Sequence, residues 1–219
     1  MCNKWYINVH KERIILLLKA QKLFALIPML FINILIPIIN LAIYVKKGVG
    51  DELNSSINQI LPLFIPFFSC WWVIFCLKFF YEDKGSEILY VCSDKTKILD
   101  LSLLFLLMLL DITLSVNPYF FIIKGFIAIF LKLILICIFY FGLSFCITAV
   151  SKSITPTLLI LIVYILLNTV SPLNETIFPF YYSPDIPTNI FFCEMPLALS
   201  GSIFIVIAIC VIRNRKSNL

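Results

Sequence analysis

Six stretches of almost unbroken apolar sequence divide this chain, and they decide what it can fold into. A helix needs about 20 predominantly apolar residues to cross the ~30 Å hydrocarbon core of a bilayer. The runs cover 23–45, 60–81, 98–116, 125–150, 156–170 and 197–212. The fifth is short, but Pro156 opens it at a first-turn position where its missing N–H costs nothing. None alternates polar with apolar residues as a barrel strand does. In lipid every backbone N–H and C=O has to be satisfied internally, so helices remain as the spanning elements. The composition agrees. Apolar residues make up 62% of the 219 and charged residues only 13%, against roughly 45–50% and about 25% in soluble domains. The expectation is an all-α integral membrane protein with six transmembrane helices over 22–219.

Orientation follows from Lys and Arg, which concentrate on the cytoplasmic side of spanning proteins. With six spans both termini share a side. That side receives Lys4, Lys11, Arg13, Lys19 and Lys22, then Lys78, Lys84, Lys95 and Lys97, then Lys152, Arg213, Arg215 and Lys216: 13 of the 17 basic residues. Lys46, Lys47 and Lys124 face the other side, and Lys132 lies inside span four. Termini and even-numbered loops are expected in the cytoplasm, and a five-span arrangement breaks the asymmetry. A cleaved signal peptide does not fit, because the first apolar run follows a long charged stretch with no small-residue cleavage site. The richness in Ile, Lys and Asn points to an AT-rich bacterial genome, hence a bacterial plasma membrane.

Residues 1–21 interleave Trp5, Tyr6, Val9, Ile14, Leu17 and Leu18 with Lys4, Lys11, Arg13 and Lys19. This is the pattern of an amphipathic helix lying on the cytoplasmic face against membrane lipids; the alternative is a basic leader that anchors span one. The outer loop 172–196 is aromatic and proline-rich, with Phe178-Pro179-Phe180-Tyr181-Tyr182 and Phe191-Phe192. Such a segment is expected to pack into the outer membrane face or re-enter it. Two glycosylation sequons, at Asn54 and Asn174, are short matches of the kind chance supplies. No internal repeat marks an inverted-repeat transporter.

Catalytic constellations are missing. There is no HExxH, no GxSxG, no CxxC and no Walker A motif, and His10 is the one histidine. Most of the eight cysteines, including Cys70, Cys76, Cys137, Cys146 and Cys210, lie in apolar runs and read as small hydrophobes. The net charge of +5 is a matter of loop placement rather than a nucleic-acid signal. Two ionisable residues stand deep in the spans. Asp111 lies ~20 Å from the cytoplasmic edge and Lys132 ~10 Å below the outer edge, at 1.5 Å per helical residue. Both fall at similar depth on consecutive antiparallel helices. An ion pair between them is expected, because an unpaired charge there is expensive. It reads as a polar spot on a translocation path, as a structural pair, or as a Lys132 that snorkels to the interface.

The cytoplasmic segment after span two runs Phe80-Tyr81-Glu82-Asp83-Lys84-Gly85-Ser86-Glu87-Ile88-Leu89, then Tyr90 to Lys97 into span three. It offers carboxylates and lysines at the membrane face, as a short helix or as an ordinary connecting loop. Its acidic-Gly-x-Glu-x-Leu pattern, Glu82, Gly85, Glu87 and Leu89 with basic residues before span three, resembles the intracellular coupling segment of ABC-2 type permeases. The layout resembles that family too, in the type V exporter-like architecture: an N-terminal interfacial helix, six spans, both termini inside and a structured loop before span six. Where the family often has Pro and Ser-Arg, this chain has Cys92-Ser93-Asp94-Lys95.

The resemblance implies a half-size permease subunit of an ATP-driven exporter, paired as a homodimer or heterodimer, with cytoplasmic ABC ATPase subunits beneath. Glu82, Asp83, Gly85 and Glu87 fall in the ATPase-coupling segment, with Lys95 and Lys97 at its exit. The chain binds no cofactor directly; ATP and Mg act in the partner. The cargo expected is amphipathic: a drug, peptide or lipid-like molecule. Two other readings remain open. One is the substrate-binding membrane subunit of a vitamin importer, which needs a polar outer pocket. The other is a non-transporting immunity or accessory protein, which has no ATPase partner.

Overall fold

The computed structural model describes residues 15, 19, 26–47, 61, 64–81, 94–122, 126–170 and 190–216. Among them the secondary structure is helical, with no strand. We label the helices α1 (26–47), α2 (Trp71–Tyr81), α3 (Asp94–Val116), α4 (Tyr119–Ile122), α5 (Phe126–Ser151), α6 (Thr155–Val170) and α7 (Ile190–Lys216). A helical stretch at 64–69 and a turn at Cys70 lead into α2. Three helical segments are long and apolar enough to cross a membrane: Leu26–Lys46, Ile98–Val116 and Phe126–Ser151. Shorter apolar helices occupy Phe64–Lys78, Thr155–Leu166 and Ala198–Ile212.

Two boundaries differ from the sequence expectation. Helix α3 begins at Asp94, four residues before the apolar run, so Lys95 and Lys97 belong to its opening turn. Helix α7 begins at Ile190 and carries Pro196 inside it. Residues 190–196, expected as the end of the outer loop, are therefore helical. A proline ends a helix only when the surrounding packing does not compensate the one backbone bond it removes. The rest of that loop, 172–189, lies outside the described residues, as does the N-terminal segment apart from Ile15 and Lys19, which are helical.

Helix α1 is interrupted by a π-turn at Phe31–Leu35, closed by the Ile36 N–H donating to the Phe31 carbonyl. Pro37 supplies the cause. It has no N–H for the Asn33 carbonyl, and its ring would press on that carbonyl in a regular helix. One widened turn before the proline relieves both problems.

Inter-helix contacts set relative directions. Asn33 of α1 meets Asp111 and Ser115 of α3, and Asn40 meets Tyr119 just beyond it. Later residues of α1 thus meet later residues of the α3–α4 segment, and the two run parallel. Phe105 stacks on Phe141 at 4.3 Å between centroids, while Tyr119 and Phe120 lie against Phe126 at 5.8 and 5.0 Å. Hence α3 and α5 run antiparallel. A turn at 152–154 returns the chain into α6, whose Tyr164 reaches Phe139 at 5.6 Å. That turn has Lys152 in the left-handed region, φ 58°, held by its N–H on the Thr148 carbonyl and by Ser151 and Ser153 bonding each other.

Helix α5 is buried over much of its circumference, whereas α3 turns a stripe inward. On α3 it is Leu101, Leu104, Met108, Ile112 and Val116, at three- and four-residue spacing. Polar side chains in the spans bond back to their own helix: Thr113 to Leu109, Ser144 to Tyr140, Thr148 to Ser144, Ser202 to Ala198. This satisfies them where water is absent. Helices α5 and α7 make the tightest contact. A Cβ on Gly142 would lie 2.9 Å from the Gly201 Cα, and one on Gly201 would lie 2.7 Å from the Phe139 Cα. In lipid, where apolar side chains gain nothing by leaving the solvent, such backbone proximity is a main source of helix affinity.

Candidate functional site

The polar chemistry at membrane depth gathers where α1 meets α3. The π-turn of α1 carries Asn33 outward, and α3 presents Asp111 and Ser115 one turn apart on its flank beside the buried stripe. The Asn33 amide donates to both carboxylate oxygens of Asp111, at 3.3 Å each. The Ser115 hydroxyl contacts the Asn33 carbonyl oxygen and also the Asp111 backbone carbonyl, at 2.8 Å. The three residues form one connected group.

This group is not in the core. Asn33 is exposed on the isolated chain, and Asp111 and Ser115 are half-buried. Around it the surface is apolar: Leu30, Ile34, Leu110 and Leu114 are each more than half exposed. A carboxylate and an amide therefore open onto an apolar side of the chain, on two helical segments long and apolar enough to cross a membrane.

A second polar tier lies two turns further along α1. Asn40 donates its amide N–H to the Tyr119 hydroxyl at 2.6 Å, and both residues are buried. The Asn40 side-chain oxygen has no hydrogen-bond partner. Turning the amide over exchanges the two atoms but still leaves one of them without a partner. Burial raises the Tyr119 hydroxyl above its ordinary pKa of 10.0, and the Asn40 hydrogen bond partly offsets this. The phenol is accordingly neutral at physiological pH.

Lys132 lies on α5 and is buried, 8% exposed. Counted from the stacked Phe105 and Phe141, Asp111 is about 9 Å and Lys132 about 13.5 Å toward the same end, at 1.5 Å per residue. The two ionisable groups thus lie within a turn of the same depth. Among the described residues, the hydrogen-bond partner of the Asp111 carboxylate is the Asn33 amide. Asp100, near the start of α3, is fully buried. Of the expected coupling residues, Glu82, Asp83, Gly85 and Glu87 lie outside the described residues. Lys95 and Lys97 fall on the first turn of α3.

Sequence reasoning did not pick out Asn33, Ser115, Asn40 or Tyr119. A signal was present. Asn33 and Asn40 stand seven apart in an otherwise apolar run, and Asp111 and Ser115 stand four apart, so each pair recurs on one side of a helix.

Comparison of the chain with protein-family models, with curated proteins and with solved structures finds no match.

Proposed function

We propose that this chain is the transmembrane permease subunit of an ATP-driven exporter of the ABC-2 type. In this reading it has six spans, with both termini in the cytoplasm, and residues 1–21 lie on the inner membrane face. The observation that carries the proposal is the Asn33, Asp111 and Ser115 group, open on an apolar flank at membrane depth. Ionisable groups in spanning segments face a bundle interior or a cavity rather than lipid. A chain with such a flank is incomplete by itself. A second permease subunit, identical or different, closes the flank and leaves a path between the two. Lys132, at a similar depth on α5, is buried within its own chain and is read as a structural residue rather than as part of that path.

The energy source is separate. The sequence carries no Walker A motif, and in this reading ATP and Mg are held by a cytoplasmic ABC ATPase. It docks on the segment from Glu82 to Lys97, where Glu82, Asp83 and Glu87 offer carboxylates and Lys95 and Lys97 open α3. Closure of the ATPase pair pushes this segment. Because α3 is continuous from Asp94 to Val116, the displacement is carried as a rigid-body shift from the cytoplasmic end to Asp111.

The test is purification from the native host in mild detergent. A stoichiometric Walker A protein is expected with the chain, and is expected to be lost when Glu82 and Glu87 are both changed to Lys. Recovery of the chain without any ATPase under several gentle conditions would overturn the reading and favour the accessory-protein alternative.

A further inference from the structure

The flank bearing Asn33, Asp111 and Ser115 also has a definite preference for what it binds. An ionised carboxylate has about four acceptor positions. Asn33 fills two of them at 3.3 Å, and the remainder face the open side. The Asn33 carbonyl oxygen is taken by Ser115. The Asp111 tier therefore lacks further N–H or O–H donors and a positive charge.

A second copy of the chain does not meet that need. Its lysine at this depth, Lys132, is 8% exposed and turned into its own bundle. A divalent metal fits no better, since it takes six or more oxygens and one carboxylate is present at this tier. The exposed Leu30, Ile34, Leu110 and Leu114 around the carboxylate are ready to hold an apolar body.

We infer that this flank binds amphipathic cations carrying a primary or secondary ammonium group, with the ammonium on Asp111 and the apolar body on the exposed leucines and isoleucine around it. The inference rests on the permease reading and names its cargo class. Lipids and quaternary cations without N–H donors are poor ligands, because charge alone leaves the Asp111 acceptor positions without hydrogen bonds.

The experiment uses the full chain in lipid nanodiscs, without any ATPase, and dansylcadaverine as the probe. This probe joins an apolar fluorophore to a primary ammonium through a short tail with a sulfonamide N–H. Saturable binding is expected. Asp111→Asn keeps the size and the contact with Asn33 but removes the charge, and should weaken binding about tenfold or more, the scale of a lost charge-assisted hydrogen bond. Asp111→Glu should recover most of it. The wild-type chain alone provides a control that needs no variant: N-acetylated, neutral dansylcadaverine should not compete. Competition by the neutral probe, or equal binding by wild type and Asp111→Asn, overturns the inference. So does an Asp111→Asn variant that loses self-association while binding the amine as before, which would make the flank a subunit seam only. ATPase co-purification from the native host is read separately, so amine binding by a chain that never co-purifies with an ATPase sinks the permease reading alone.

Discussion

Tyr119 illustrates how a single residue at the end of a spanning helix is held in one protonation state. Its ring packs on Phe126 and its hydroxyl receives the Asn40 amide at 2.6 Å. Burial disfavours the phenolate, so the folded pKa is raised above 10.0, with the Asn40 bond acting in the opposite sense. The sign of the consequence is fixed by linkage. A group whose folded pKa is raised contributes stability below its unfolded pKa and loses it as pH climbs toward the folded value. The chain in detergent should therefore lose thermal stability above about pH 10, where an unfolded tyrosine ionises. Tyr119→Phe removes this contribution, so its Tm should fall less steeply over the same interval. Lysine deprotonation affects both proteins alike and cancels in the comparison. Parallel curves for the two proteins would mean that Tyr119 is not protected as its burial implies.

At the scale of elements, helix pairing in this chain depends on small groups more than on large ones. The α5–α7 contact has room for hydrogen alone at Gly142 and Gly201. Gly142→Ala should push the helices apart and cost about 1–3 kcal/mol, the range for overpacking a filled interior. Ser202→Ala, beside Gly201 but exposed, should stay close to wild type. Melting curves in one detergent would show the difference, and equal Tm values for the two variants would rule out the close crossing. None of this was legible in the sequence. Gly142 shares its run with Gly125, Gly201 stands alone in its own, and no periodicity says which glycine faces which. The helices themselves were legible, because length and apolarity are local properties. The expected runs 125–150 and 156–170 meet helices at Phe126–Ser151 and Thr155–Val170. Asp111 stood out for the same reason, since a carboxylate in such a run is conspicuous. Its partner did not. Asn33 is brought to it by a π-turn that Pro37 imposes, and the side of a helix reached after a widened turn differs from what 3.6 residues per turn predicts.

At the scale of the whole molecule, the helix directions and the placement of lysines can be set against each other. Helices α1 and α3 run parallel, so a chain that crosses the bilayer in both must return between them. The helical residues at 64–81 are the segment available for that return. Helix α5 opposes α3, and the turn at 152–154 reverses the chain once more into α6. These directions put the start of α1, the start of α3 and the 152–154 turn at one end of the molecule. Lys95, Lys97 and Lys152 belong to that end, and Lys46 and Lys47 close α1 at the other. The richer end is the one the positive-inside rule assigns to the cytoplasm. The number of crossings then follows from the outcome of reporter fusions. Green fluorescent protein joined after Ser153 or after Lys216 should fluoresce, and alkaline phosphatase joined after Gly50 should be active. The Lys216 junction carries the most weight. It lies after the last apolar run, and six crossings return it to the side on which residue 22 began. Fluorescence after Ser153 but phosphatase activity after Lys216 would leave one of α6 and α7 as a helix that does not cross. That result would remove the even number of spans on which the shared side of the two termini depends.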